Sequence, residues 1–211
     1  MNRFRQIAAC LTLALLSFAS YADPIHTLDD QAPVGFNTNN NFYQNARGWE
    51  FTAGTNNLYV SQLGIAAFTS GSFTLSLWDV ATASVLAQTT IKGATGGQWN
   101  WASLGSSVAL TSGAHYLVMG IGNDADAAYY FGYDLASSWY PAGDINYLTT
   151  KFCNNCTANT FPTNSLDRFQ YGLVDIGYTV GRDSEVPEPA PLALLAIGLL
   201  ASSAVSRKKS L

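Results

Sequence analysis

Phe73-Thr74-Leu75-Ser76-Leu77-Trp78 alternates large apolar residues with small polar ones until Trp78 closes the pattern. Successive side chains of an extended chain point to opposite faces, so Phe73, Leu75 and Leu77 fall on one side. The same period recurs along the chain. Tyr116 and Val118 alternate with Leu117, Met119 and Ile121, apolar on both faces, as a central strand requires. Val174, Ile176, Tyr178 and Val180 alternate with Leu173, Asp175, Gly177 and Thr179. Turn residues punctuate these runs at Gly54-Thr55-Asn56-Asn57, across Lys92 to Gly97, and at Thr111-Ser112-Gly113. Between residues 23 and 180 nothing sustains a capped amphipathic helix, so the crossovers of an open parallel sheet are missing. The pattern predicts an all-β domain over 23–180, an antiparallel β-sandwich or jelly roll.

The two ends read differently. Arg3 and Arg5 precede an apolar run from Ile7 to Phe18 and then Ser20-Tyr21-Ala22. This is the layout of a secretory signal peptide over residues 1–22, with cleavage by signal peptidase after Ala22. Ile7-Ala8-Ala9-Cys10 has too short an apolar approach for a lipoprotein peptidase, so lipidation at Cys10 is not expected. At the other end, a linker over 181–189 contains Val186-Pro187-Glu188-Pro189. An apolar stretch follows, read as a transmembrane helix over 190–206, and then a basic tail over 207–211 with Arg207, Lys208 and Lys209. Residues 190–205 would form a helix about 24 Å long, slightly short of a ~30 Å hydrocarbon core, with basic side chains snorkelling to make up the difference. The terminal bases place that end in the cytoplasm by the positive-inside rule, leaving the β domain outside the inner membrane.

Pro187-Glu188-Pro189, a short hydrophobic helix and a terminal basic cluster, in that order, resemble the PEP-CTERM sorting signal. The resemblance implies that an exosortase, a membrane cysteine transpeptidase of Gram-negative bacteria that make exopolysaccharide, is a partner during export. It also implies processing near Pro187-Glu188-Pro189 and delivery to the cell surface or extracellular matrix. A second, shorter resemblance runs through the domain. Trp49-Glu50-Phe51-Thr52, Leu58 to Ile65, Thr74 to Asp79, Ser84-Val85-Leu86-Ala87 and Val108 to Tyr116 resemble, in order, an uncharacterised β-sandwich module of bacterial secreted proteins. It implies a fold and no catalytic residue.

Charge narrows the function. The chain has a net charge of −4, but residues 23–180 hold 11 acids and 4 bases, a net of −7. An acidic, sparsely charged surface excludes a nucleic-acid partner and suits hydrogen bonding to neutral polysaccharide or to neighbouring chains.

Candidate sites are few. Cys153-Asn154-Asn155-Cys156 in an exported chain predicts a disulfide, since a redox motif would need a helix start and a βαβ setting. Asn123, Asp124 and Asp126 supply oxygen ligands suited to Ca²⁺, and are equally ordinary turn residues; no other cofactor is expected. Trp139-Tyr140 beside Asp134 and Asp144 could stack on sugar rings and accept hydroxyl hydrogen bonds. Trp78, Trp99 and Trp101 fall in strand patterns and read as packing. His115 falls within a strand as a satisfied or surface histidine. No nucleophile elbow, zinc-protease motif or phosphate loop occurs, so the chain reads as a non-catalytic surface or matrix protein of a biofilm. The alternatives are a carbohydrate-binding module using the loop aromatics and a glycoside hydrolase using paired carboxylates.

Overall fold

In a computed structural model of the chain, the described residues are 24–28, 37–39, 43–54, 57–125, 127–132, 143–166, 170–171 and 174–181. They belong to one compact unit, Asp23–Arg182. The expected signal peptide, the linker beyond Gly181, the membrane helix and the basic tail lie outside them. Among the described residues every regular element is a strand, and no helix is long and apolar enough to cross a membrane.

Two antiparallel sheets form the domain. Sheet A contains β1 (Ile25–His26), β2 (Asn37–Asn39), β4 (Asn57–Ala67), β7 (Gln98–Leu110), β9 (Tyr129–Gly132), β12 (Gln170–Tyr171) and β13 (Val174–Gly181). Sheet B contains β3 (Asn45–Ala53), β5 (Gly71–Asp79), β6 (Ser84–Ala94), β8 (His115–Gly122), β10 (Ile145–Asn154) and β11 (Asn164–Leu166). Its order is β11-β10-β3-β8-β5-β6. β8 therefore lies between two neighbours with both faces buried, as its two-sided apolar pattern requires.

The core follows from the alternation. Trp49 and Phe51 of β3, Phe73, Leu75 and Leu77 of β5, and Tyr116 and Val118 of β8 face Leu58, Val60, Leu63, Ile65, Val174 and Ile176 of sheet A. Along β4 the inward set changes from even to odd numbers because a β-bulge lies between Val60 and Gln62. One extra residue there shifts every later side chain to the other face. The Trp49 indole N–H donates to the Val174 carbonyl across the sandwich at 2.6 Å, a buried bond between the sheets.

The turn expected over Lys92 to Gly97 is narrower than its composition suggests. β6 continues through Ala94, and Gly93 takes φ +70° beside an irregularity in its pairing with β5. A left-handed glycine in a bulge keeps the strand going where a turn was expected.

Trp78 and Ser76, on the face of β5 opposite Phe73, Leu75 and Leu77, are also buried. Ala46, Trp78, Leu117, Met119, Ile121 and Cys156 form a second apolar cluster on the outer face of sheet B. The segment between β10 and β11 covers it, with Phe161 edge-on to Trp78 at 5.6 Å between ring centroids.

Candidate functional site

Strand register assembles one charged cluster on that same outer face. Glu50 alternates with Trp49 and Phe51, so its side chain points away from the core. β8 brings in His115, opposite Thr52, and β10 brings in Lys151, opposite Gly48. His115 Nδ1 lies 2.9 Å from Glu50 Oε1, and Lys151 Nζ lies 3.2 Å from Oε2. Both carboxylate oxygens are therefore engaged in a link across three strands. Half of the His115 side chain is exposed, against a tenth of Glu50. His115 is thus a satisfied surface histidine, as expected. Glu50 and Lys151 escaped the sequence reading because only the register makes them neighbours.

Asn123 and Asp124 follow β8 and are occupied by protein. Asp124 Oδ2 accepts from the Ser72 amide at 2.7 Å, while Asn123 bonds the hydroxyls of Ser72 and Thr74. They hold the end of β8 to β5, the ordinary work of turn residues. Asp126, the third expected ligand, lies outside the described residues, and among those residues no cluster of three or more His, Cys, Asp or Glu side chains could hold a metal. Asp134, Trp139 and Tyr140 also lie outside them. Asp144 is described, partly buried, with its carbonyl accepting from the Gly54 amide.

The disulfide expected from Cys153 and Cys156 is not formed in the structure, where both are thiols. Asn155, at φ +53°, turns the chain between them. Cys156 Sγ donates to the Cys153 carbonyl at 3.3 Å, and the same carbonyl accepts from Arg47 at 3.0 Å. Burial, with the neighbouring Cys156 thiol, pushes the Cys153 thiol up to about 12. A low-pKa nucleophile is the opposite of this environment.

On the outer face of sheet A, Trp101 lies over Gly64, where an added Cβ would come within 2.5 Å of the indole. His26 stacks on Trp101 at 3.7 Å between centroids, and Trp99 continues the stack at 5.5 Å. The indole N–H groups of Trp99 and Trp101 are buried without hydrogen-bond partners. Asp175, on β13 beside Gly64, is wholly buried and accepts from the amides of Leu28 and Ile176 at 2.7 and 2.8 Å. Burial raises its carboxyl to about 7 despite those two bonds, the nearby Thr27 hydroxyl and the charge of His26, all of which pull it down. The hydroxyl makes no hydrogen bond of good geometry and so has little hold. This carboxyl ties the N-terminal strand to the sheet and offers no surface to a substrate.

Comparison with known proteins adds one assignment and distant likenesses among solved structures. Residues 185–209 match the PEP-CTERM protein-sorting motif, the segment in which the Pro-Glu-Pro, apolar and basic elements follow one another. A comparison with curated proteins found no match. Among solved structures, the cysteine protease and lectin-like domains of Cwp84, a surface layer associated protein of Clostridium difficile, align with TM-score 0.44 and 10% identity. That alignment covers 68% of this chain and 33% of the other. The clostridial cysteine protease Cwp84 after propeptide cleavage aligns with TM-score 0.42 and 10% identity, over 75% of this chain and 41% of the other. The chain thus spans well under two thirds of either protein.

Proposed function

We propose that this chain, which carries the PEP-CTERM signal of exported, exosortase-processed proteins, is a non-catalytic surface or matrix protein held among exopolysaccharide outside a Gram-negative cell. The match over residues 185–209 is the observation that carries the reading. In it, signal peptidase removes residues 1–22, the inner membrane holds the precursor by its apolar tail, and an exosortase cuts near Pro187-Glu188-Pro189.

The surface supports a matrix role. Along β6 and β7 the exposed positions include Ser84, Gln88, Thr90, Gln98, Ser103, Ser106 and Ser107, with Lys92 as the one charged residue. Hydroxyls and amides of this kind exchange hydrogen bonds with neutral sugars without desolvating a charge. Several described acids are already engaged: Glu50 by His115 and Lys151, Asp124 by Ser72, Asp175 by two amides, and Asp79 by Thr82. Committed carboxylates weigh against a glycoside hydrolase, which needs one free acid and one free base or nucleophile. The test is fractionation of the producing cells: the mature protein should sediment with isolated exopolysaccharide and be released when the polysaccharide is digested. Recovery wholly in the polysaccharide-free medium would overturn the matrix assignment.

The row of Trp99, Trp101 and His26 favours a second reading, a carbohydrate-binding module, the role the sequence suggests for Trp139, Tyr140, Asp134 and Asp144. A glycan array should then show binding that Trp139→Ala abolishes, whereas a blank array retires this reading.

A further inference from the structure

The segment between β10 and β11 is a strap. It leaves β10 at Asn154, crosses the outer face of sheet B, and returns as β11 to pair with β10. At its far reach, Gln88 of β6 donates to the Ala158 carbonyl at 3.4 Å and to Asn159 Oδ1 at 3.2 Å. Phe161 packs on Trp78, and Pro162 is buried. Beneath lie Trp78, Leu117, Met119 and Ile121, an apolar surface that would be in water without this cover.

Polar contacts hold the departing end. The Cys156 amide donates to the Gln44 carbonyl at 2.9 Å, and Arg47 bonds the Cys153 carbonyl and Asn154 Oδ1 at 3.0 and 2.7 Å. Here the two thiols meet. Cys156 belongs to the apolar cluster, Cys153 packs against it, and the Cys156 thiol is turned back toward Cys153 by the left-handed Asn155. Sulfurs three residues apart, in one apolar nest, with the intervening turn already made, need little backbone movement to join.

We propose that Cys153 and Cys156 form a redox latch, whose oxidation in the exported compartment fastens the strap that already lies over Trp78, Leu117, Met119 and Ile121 in the dithiol form, and whose reduction lets it open more often. Closure breaks two S–H bonds and forms one S–S bond; two protons and two electrons pass to a disulfide oxidant such as oxidised glutathione, which leaves as two thiols. The latch is structural rather than catalytic. The raised Cys153 thiol is a poor thiolate, and Cys156 is buried, so incoming thiols are met by a shielded bond. The proposal rests on export for its setting, but its test uses purified protein and is independent of matrix association.

Trypsin cuts after Lys151 and Arg168, leaving both cysteines in the single peptide Phe152–Arg168, away from Cys10. Full-length protein equilibrated in an oxidising glutathione buffer, then alkylated while denatured, should yield this peptide unalkylated and two hydrogens lighter. Hydrogen exchange supplies the second arm. Closing a four-residue loop suppresses opening about twenty-fold by chain entropy, so reduction should speed exchange at the Cys156 and Thr160 amides by about that factor. A Cys153→Ser, Cys156→Ser double variant should exchange at the faster rate with or without reductant. A doubly alkylated peptide from the oxidising buffer overturns the latch, and so does strap exchange in the native chain that ignores reductant.

Discussion

Replacing Asp175 with Asn should remove a large part of the pH dependence of stability. The native carboxyl is fully buried, and burial lifts it from 3.8 to about 7. The folded state therefore binds this proton more tightly than the unfolded chain does. The sign follows: between about pH 4 and pH 7 the native state holds the extra proton, so stability falls as pH rises through that window and levels off above it. A rise of roughly three pKa units at 1.36 kcal/mol each is on the order of 4 kcal/mol. A carboxamide matches the carboxyl in shape, but the amides of Leu28 and Ile176 both donate, so its oxygen can accept from one of them while its NH2 faces the other N–H. The Asn variant should therefore be the less stable near pH 4, by about 1–3 kcal/mol for the amide left without an acceptor, and should gain on the native protein by up to about 4 kcal/mol as pH rises past 7. Urea unfolding of both proteins at intervals from pH 4 to pH 8 reads the difference directly, and groups common to both cancel. A gap that stays constant across the series would refute the argument that the buried carboxyl is charged only at the expense of stability.

Four further substitutions probe the framework. Trp49→Phe deletes the buried indole bond to the Val174 carbonyl, so urea unfolding should show a loss of about 1–3 kcal/mol plus a cavity cost. Gly64→Ala should lower the melting temperature through about 1–3 kcal/mol of overpacking and break the near-ultraviolet signature of the His26–Trp101 stack. Gly48→Ala should cost more, because its Cβ would collide with the Val118 backbone, which cannot move aside without parting β3 from β8. Lys151→Met leaves Glu50 with His115 alone and should cost about 1–3 kcal/mol at neutral pH, seen in the same unfolding assay.

The alternation of Phe73, Leu75 and Leu77, and of Tyr116 and Val118, carried the fold, because sheet faces impose period two wherever one side is buried. Three features lay beyond that logic. The bulge after Val60 changes the parity of β4 at Ser61, a serine with no local mark of a bulge. The strap hides Trp78 and Leu117, so an outward face became a second core, and nothing in Thr157 to Pro162 alone says what it covers. Glu50, His115 and Lys151 lie on three strands, far apart in sequence, and their meeting depends on register. By contrast, the sorting signal was legible from residues alone, since its three elements are contiguous and their order is what the signal consists of. Local chemistry survives without a fold; long-range pairing does not.

The intact mass of the mature protein, with and without Glu188→Ala, bears most directly on exosortase processing. Made in cells that possess an exosortase, the native chain should begin at Asp23 and lack the peptide ending in Arg207-Lys208-Lys209, while the Glu188→Ala protein should keep that tail in the membrane fraction. A native protein that retains the basic tail, or two proteins of matching processed length, would contradict the account.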